Sequence, residues 1–65
     1  MNLTVNGKQQ TLDVSHASDL LEQLNIEQDR VAVVVNENVV RRANLGATPL
    51  KDGDIVEIIT MVGGG

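Results

Sequence analysis

The chain closes on Val62-Gly63-Gly64-Gly65, the one place where residue type and position together suggest chemistry. Consecutive glycines carry no Cβ, so they form an arm thin enough to thread a narrow active site whose walls would clash with any side chain. A carboxylate at Gly65 would stand at its tip. Reaction with ATP would turn that carboxylate into an acyl adenylate, which a sulfur or nitrogen nucleophile can attack. Gly65 is therefore the candidate acceptor, and Gly63 and Gly64 the segment that enters a partner's active site. A frayed terminus would carry the same residues, so the tail alone leaves both readings open. It is not a phosphate-gripping loop, because it lacks the spacing and the lysine and opens no helix.

Elsewhere the residues offer little to a catalyst. There is no cysteine, and nucleophilic catalysis by serine needs a base beside it. The single histidine, His16, falls between Ser15 and Ser18 at the entrance of a predicted helix, where chance proximity or a capping role explains it better than catalysis. Asp52 and Asp54 flank Gly53, but two carboxylates in a turn fall far short of a calcium loop. No catalytic residue, metal or bound cofactor is expected; ATP would be used by an activating partner.

The elements that would hold such a tail follow from hydrophobic period. Met1, Leu3 and Val5 alternate with polar residues, as in a half-buried strand. Asn6-Gly7 suits a tight hairpin, with a return strand from Lys8 to about Val14 and Leu12 and Val14 inward. Ala17, Leu20, Leu21 and Leu24 line one helix face. Ser15 or Ser18 is the expected cap, Asp19 suits the first turn, and Asn25 is the stop. Val31–Val35 is β-branched and apolar on both faces, reading as a central strand. A turn at Asn36-Glu37-Asn38 leads to a short strand at Val39–Arg42, and Ala43–Pro49 is expected as a loop or single helical turn. Lys51–Asp54 is a turn, and Ile55–Val62 the last strand. The whole is an α+β chain, a mixed sheet on one helix, with a domain at 1–62 and a glycine tail at 63–65.

Composition bounds the partners. Five basic residues against nine acidic ones give a formal charge of −4, and there is no aromatic side chain to stack on a base. Nucleic acid is therefore an unsuitable partner, and a basic surface on another protein suits the chain better. Apolar residues, 42% of the chain, suffice for a core, yet no run approaches the ~20 residues of a membrane span. The N-terminus lacks a secretory pattern, so a cytoplasmic location and a monomeric carrier are expected.

Recognition follows from alternation in the last strand. With Val56 and Ile58 inward, Glu57 and Ile59 face out; with Val33 and Val35 inward, Ala32 and Val34 face out. Val34 and Ile59 would form an apolar docking patch, which Met61 extends. Arg41 and Arg42 could meet acidic groups of a partner, with Arg42 the stronger candidate.

In order and spacing, Leu20-Leu21-Glu22-Gln23-Leu24, Val31–Asn36 with Val40 and Arg42, Asp52-Gly53-Asp54 and Val62-Gly63-Gly64-Gly65 resemble the ubiquitin-like β-grasp sulfur carriers, and among them the thiamin-biosynthesis family, ThiS. The likeness covers nearly the whole chain. It implies that an E1-like adenylyltransferase (ThiF-like) adenylates Gly65, that persulfide sulfur converts it to a thiocarboxylate, and that a thiazole synthase (ThiG-like) takes the sulfur. Arg41 stands where that family often has proline, and His16 where it often has threonine. Three alternatives remain: a carrier like the small subunit of molybdopterin synthase, which is usually longer, a β-grasp binding module with an inert tail, and a protein modifier joined to lysines.

Overall fold

A computed structural model describes residues 1–60. Strands β1 (Asn2–Val5) and β2 (Lys8–Thr11) form a hairpin, followed by helix α1 (Ala17–Gln23). A 3-10 turn at Gln28–Arg30 leads into β3 (Val31–Val35) and β4 (Asn38–Val40), a second 3-10 segment covers Arg42–Ala47, and β5 (Ile55–Thr60) closes the sheet. The strand order is β2-β1-β5-β3-β4. β1 and β5 run parallel, and every other neighbouring pair is antiparallel.

Both hairpins turn on two residues with positive φ, Asn6 (50°) and Gly7 (82°) in the first, Asn36 (49°) and Glu37 (71°) in the second. This is the type I′ signature, whose twist matches that of the flanking strands. Leu3 and Val5, Val33 and Val35, and Val56 and Ile58 point inward to meet Ala17, Leu20 and Leu21 of α1. Leu45 and Leu50 close the core beside the helix, and Val14 is buried with them.

Several sequence expectations need correction. β3 is an interior strand, but the middle of the sheet is β5, held between β1 and β3. The alternation within β3 is as expected: Val31, Val33 and Val35 are buried while Ala32 and Val34 face out and are half-buried, because α1 covers one side of the sheet alone. The cap of α1 is His16, not a serine. Its extended backbone sits at the N-cap, and the Asp19 carboxylate accepts the N–H groups of Ser15 at 3.1 Å and His16 at 2.9 Å. Two strands are also shorter than expected, β2 ending at Thr11 and β4 at Val40 before the 3-10 segment begins at Arg42. Asn25 does stop the helix, with φ 57°.

Candidate docking face and the strand that leads to the tail

The middle strand is fastened at its start and along its β1 side by side-chain amides and a carboxylate. Asn36 Oδ1 accepts the Ile55 N–H at 2.9 Å, and Asn36 Nδ2 donates to Asp54 at 2.9 Å. Asp54 also accepts the Lys51 N–H at 2.8 Å, shaping the turn before the strand. Where β1 stops at Val5, Asn6 Oδ1 extends the ladder by accepting the Ile58 N–H at 2.7 Å. Each bond satisfies a β5 donor or fixes a turn next to it, so β5 is held from both sides. Its last pair among the described residues is Thr60 with Val31.

On the outer face, away from α1, the inward–outward alternation of β5 is as expected. Val56 and Ile58 are buried, and Ile59 is 50% exposed. Val34 and Ile59 lie on the same face but are not opposite one another. Ile59 faces Ala32 and Val34 faces Glu57, so the two apolar residues are diagonal neighbours, within reach of long side chains. Two exposed residues not singled out in the sequence enlarge the face: Val39, paired with Val34 and 73% exposed, and Ile55, 55% exposed. Strict alternation from Val34 and Ile59 through the register would have found both. Beside Val34 and Ile55, with Asn36, Glu37 and Glu57, lies a shallow hollow of about 410 Å³.

The two arginines separate. Arg42 donates to Asp29 at 2.9 Å, an exposed pair that ties the second 3-10 segment to the first. Arg41 makes no ion pair among the described residues. With Arg42, Ala32 and Val39 it lines a hollow of about 330 Å³ at the end of the sheet where Thr60 lies. A charge offered to a partner is thus more available at Arg41, while Arg42 would first have to leave Asp29.

The residues set aside as non-catalytic take structural positions. The His16 side chain is half-exposed, its Nδ1 3.8 Å from Asp19. The Asp52 carboxylate accepts the Asn2 N–H, closing the turn onto β1. Among the described residues no group of His, Cys, Asp and Glu is arranged to hold a metal. Gly63, Gly64, Gly65 and Met61 lie outside the described residues.

Comparison with known proteins adds what geometry alone does not. The ThiS family model matches residues 3–65. The sulfur carrier protein ThiS of Thermus thermophilus is 33% identical over 61 residues, covering 94% of this chain and 95% of that one. A thiazole synthase of Paramagnetospirillum magneticum is 32% identical over 66 residues; all of this chain is covered, but only 20% of that protein. The crystal structure of the thiamine biosynthesis protein ThiS from Geobacter metallireducens superposes with a TM-score of 0.85 at 43% identity, over the full length of both chains. The solution structure of a thiamine biosynthesis protein from that organism gives 0.79, covering this chain fully and 88% of the other. With its five-stranded mixed sheet on one helix and a family match running through the glycine tail, the chain belongs to the ThiS family and has the β-grasp fold.

Proposed function

We propose that this chain is a sulfur carrier of thiamine biosynthesis and not itself an enzyme, and that Gly65 is its working residue. The observation that carries the reading is the family match over residues 3–65, which takes in the sheet and the terminal glycines together. In this reading the Gly65 carboxylate attacks the α-phosphorus of ATP on an E1-like adenylyltransferase, releasing pyrophosphate. Persulfide sulfur then displaces AMP, and cleavage of the sulfur–sulfur bond by a thiol leaves a thiocarboxylate. A thiazole synthase is the acceptor. The likeness of this chain to one-fifth of a thiazole synthase supports that choice over the molybdopterin branch.

The outer face supplies the docking surface in the same reading. Val34 and Ile59 form its apolar part, extended by Val39 and Ile55, with Met61 following β5 in sequence. Arg41 and Arg42 stand at the rim. From Ile59 the six residues to Gly65 span at most roughly 20 Å, so a partner can grip the strand while the tail reaches its active site.

The test is intact-mass spectrometry after incubation with the adenylyltransferase, ATP and a persulfide donor. Wild-type protein should gain the mass of one sulfur in exchange for one oxygen, and a chain lacking Gly64 and Gly65 should gain nothing while melting as before. Loading of the truncated chain would remove Gly65 from its role. Wild-type protein that never gains sulfur would favour a binding module.

A further inference from the structure

Asn6 is the only asparagine in the chain followed by glycine; Asn2, Asn25, Asn36, Asn38 and Asn44 all precede residues with side chains. We propose that Asn6 is a covalent modification site, and that its hydrogen bond to β5 gates the reaction. The Gly7 backbone nitrogen attacks the side-chain carbonyl carbon of Asn6, forming a carbon–nitrogen bond and a five-membered imide. The bond to Nδ2 breaks, and ammonia leaves with the proton from Gly7. Water then opens the ring at either carbonyl, giving aspartate or its β-linked isomer. Water is the sole co-reactant, and no electrons are exchanged.

Gly7 makes the attack feasible, because it has no Cβ to crowd its nitrogen. Beyond its own chain neighbours, no heavy atom lies within 4 Å of where that Cβ would stand, so the turn is open to water and base. The fold holds the reaction back. Asn6 Oδ1 is engaged by the Ile58 N–H at 2.7 Å, and the Asn6 N–H donates to the Val56 carbonyl at 2.9 Å. Closing the imide turns the carboxamide onto its own following nitrogen and breaks the bond to Ile58. The reaction therefore proceeds from molecules in which the β1–β2 corner has lifted off β5, and its rate follows their population.

The two products differ in consequence. Aspartate still presents an oxygen to the Ile58 N–H. The β-linked isomer adds a carbon to the main chain inside a two-residue hairpin, which shifts the pairing of β1 with β2 and withdraws the acceptor from Ile58. Modification at this corner thus loosens the strand that leads to the tail.

The experiment ages the full-length chain in mildly alkaline buffer, native and in concentrated urea, and locates deamidation by peptide mapping. In urea, Asn6 should react well ahead of the other five asparagines; in the native protein the same site should react at least about tenfold more slowly. Asn6→Asp should melt close to wild type, and the β-linked product, separated by chromatography, should melt several degrees lower. Equal native and urea rates would overturn the gate. Reaction spread evenly over the asparagines would overturn the site, and a β-linked product as stable as wild type would overturn the structural consequence.

Discussion

Glu37 occupies a backbone conformation that its side chain disfavours. Its φ of 71° is left-handed, a region costing an L-residue roughly 1–2 kcal/mol, whereas the equivalent position in the first hairpin is Gly7. Glycine there loses some of that advantage through its freer unfolded chain. Glu37→Gly should therefore stabilise the domain by roughly 0.5–1 kcal/mol, raising Tm by about 3–6 °C in a thermal melt. An unchanged or lower Tm would mean that the Glu37 side chain makes up the difference. Asp19 makes a second test at this scale. Its carboxyl sits below the ordinary value of 3.8, first because it accepts the His16 N–H and then the Ser15 N–H. A carboxylate with a depressed folded pKa contributes stability that is fully present above its unfolded value and is lost as pH falls through the folded one. Asp19→Asn should flatten the decline of Tm below about pH 4 relative to wild type; parallel curves would show that other carboxylates carry it.

Among elements, α1 and β5 carry the most. The helix is only seven residues long and could not persist alone, so packing holds it. Leu21 is 1% exposed against the sheet. Leu21→Ala should remove roughly 2–5 kcal/mol, a large share of what a domain this small has, and circular dichroism should show a much lower melt. An unchanged melt would place Leu21 off the core. β5 has a different vulnerability. Its inward residues are covered, its outward residues are open, and both flanks are occupied by β1 and β3. A change on its outer face can therefore alter recognition without opening a cavity.

That separation scales up to the molecule. Ile59→Asp places a charge on the outer face, adds to an already negative protein, and leaves the Gly65 carboxylate chemically unchanged. It should raise the half-saturating concentration for the proposed adenylyltransferase by about tenfold, with a nearly normal rate at saturation and little change in Tm. Wild-type concentration dependence would remove Ile59 from the docking surface. Arg41→Ala and Arg42→Ala then divide the rim: Arg42 is already held by Asp29, so Arg41 should matter more to binding and Arg42 to the local 3-10 contact. Exposed ion pairs contribute at most about 1 kcal/mol, so neither change should unfold the chain.

The sequence by itself determined the features that depend on neighbours along the chain. Alternation in β1 and β5 put Leu3, Val5, Val56 and Ile58 inside, the apolar stripe placed α1, and Asn6-Gly7 set the first hairpin. The glycine tail was legible for the same reason, and it pointed to the family only together with Leu20–Leu24, Val31–Asn36, Val40, Arg42 and Asp52–Asp54 in their order and spacing. What the tertiary structure decided depends on groups distant in sequence. Nothing local to β5 says that it lies between β1 and β3, since strand order follows from which long-range pairings can form together around one helix. The open outer face of β3 follows from the sheet having only one helix to cover it, although Val31–Val35 reads as apolar throughout. His16 replaced serine at the cap because Asp19 reaches back to two backbone donors and the backbone geometry at residue 16 is extended. Arg42 looked free in the sequence because its partner, Asp29, lies across the end of the sheet, and only the fold brings the two within 2.9 Å.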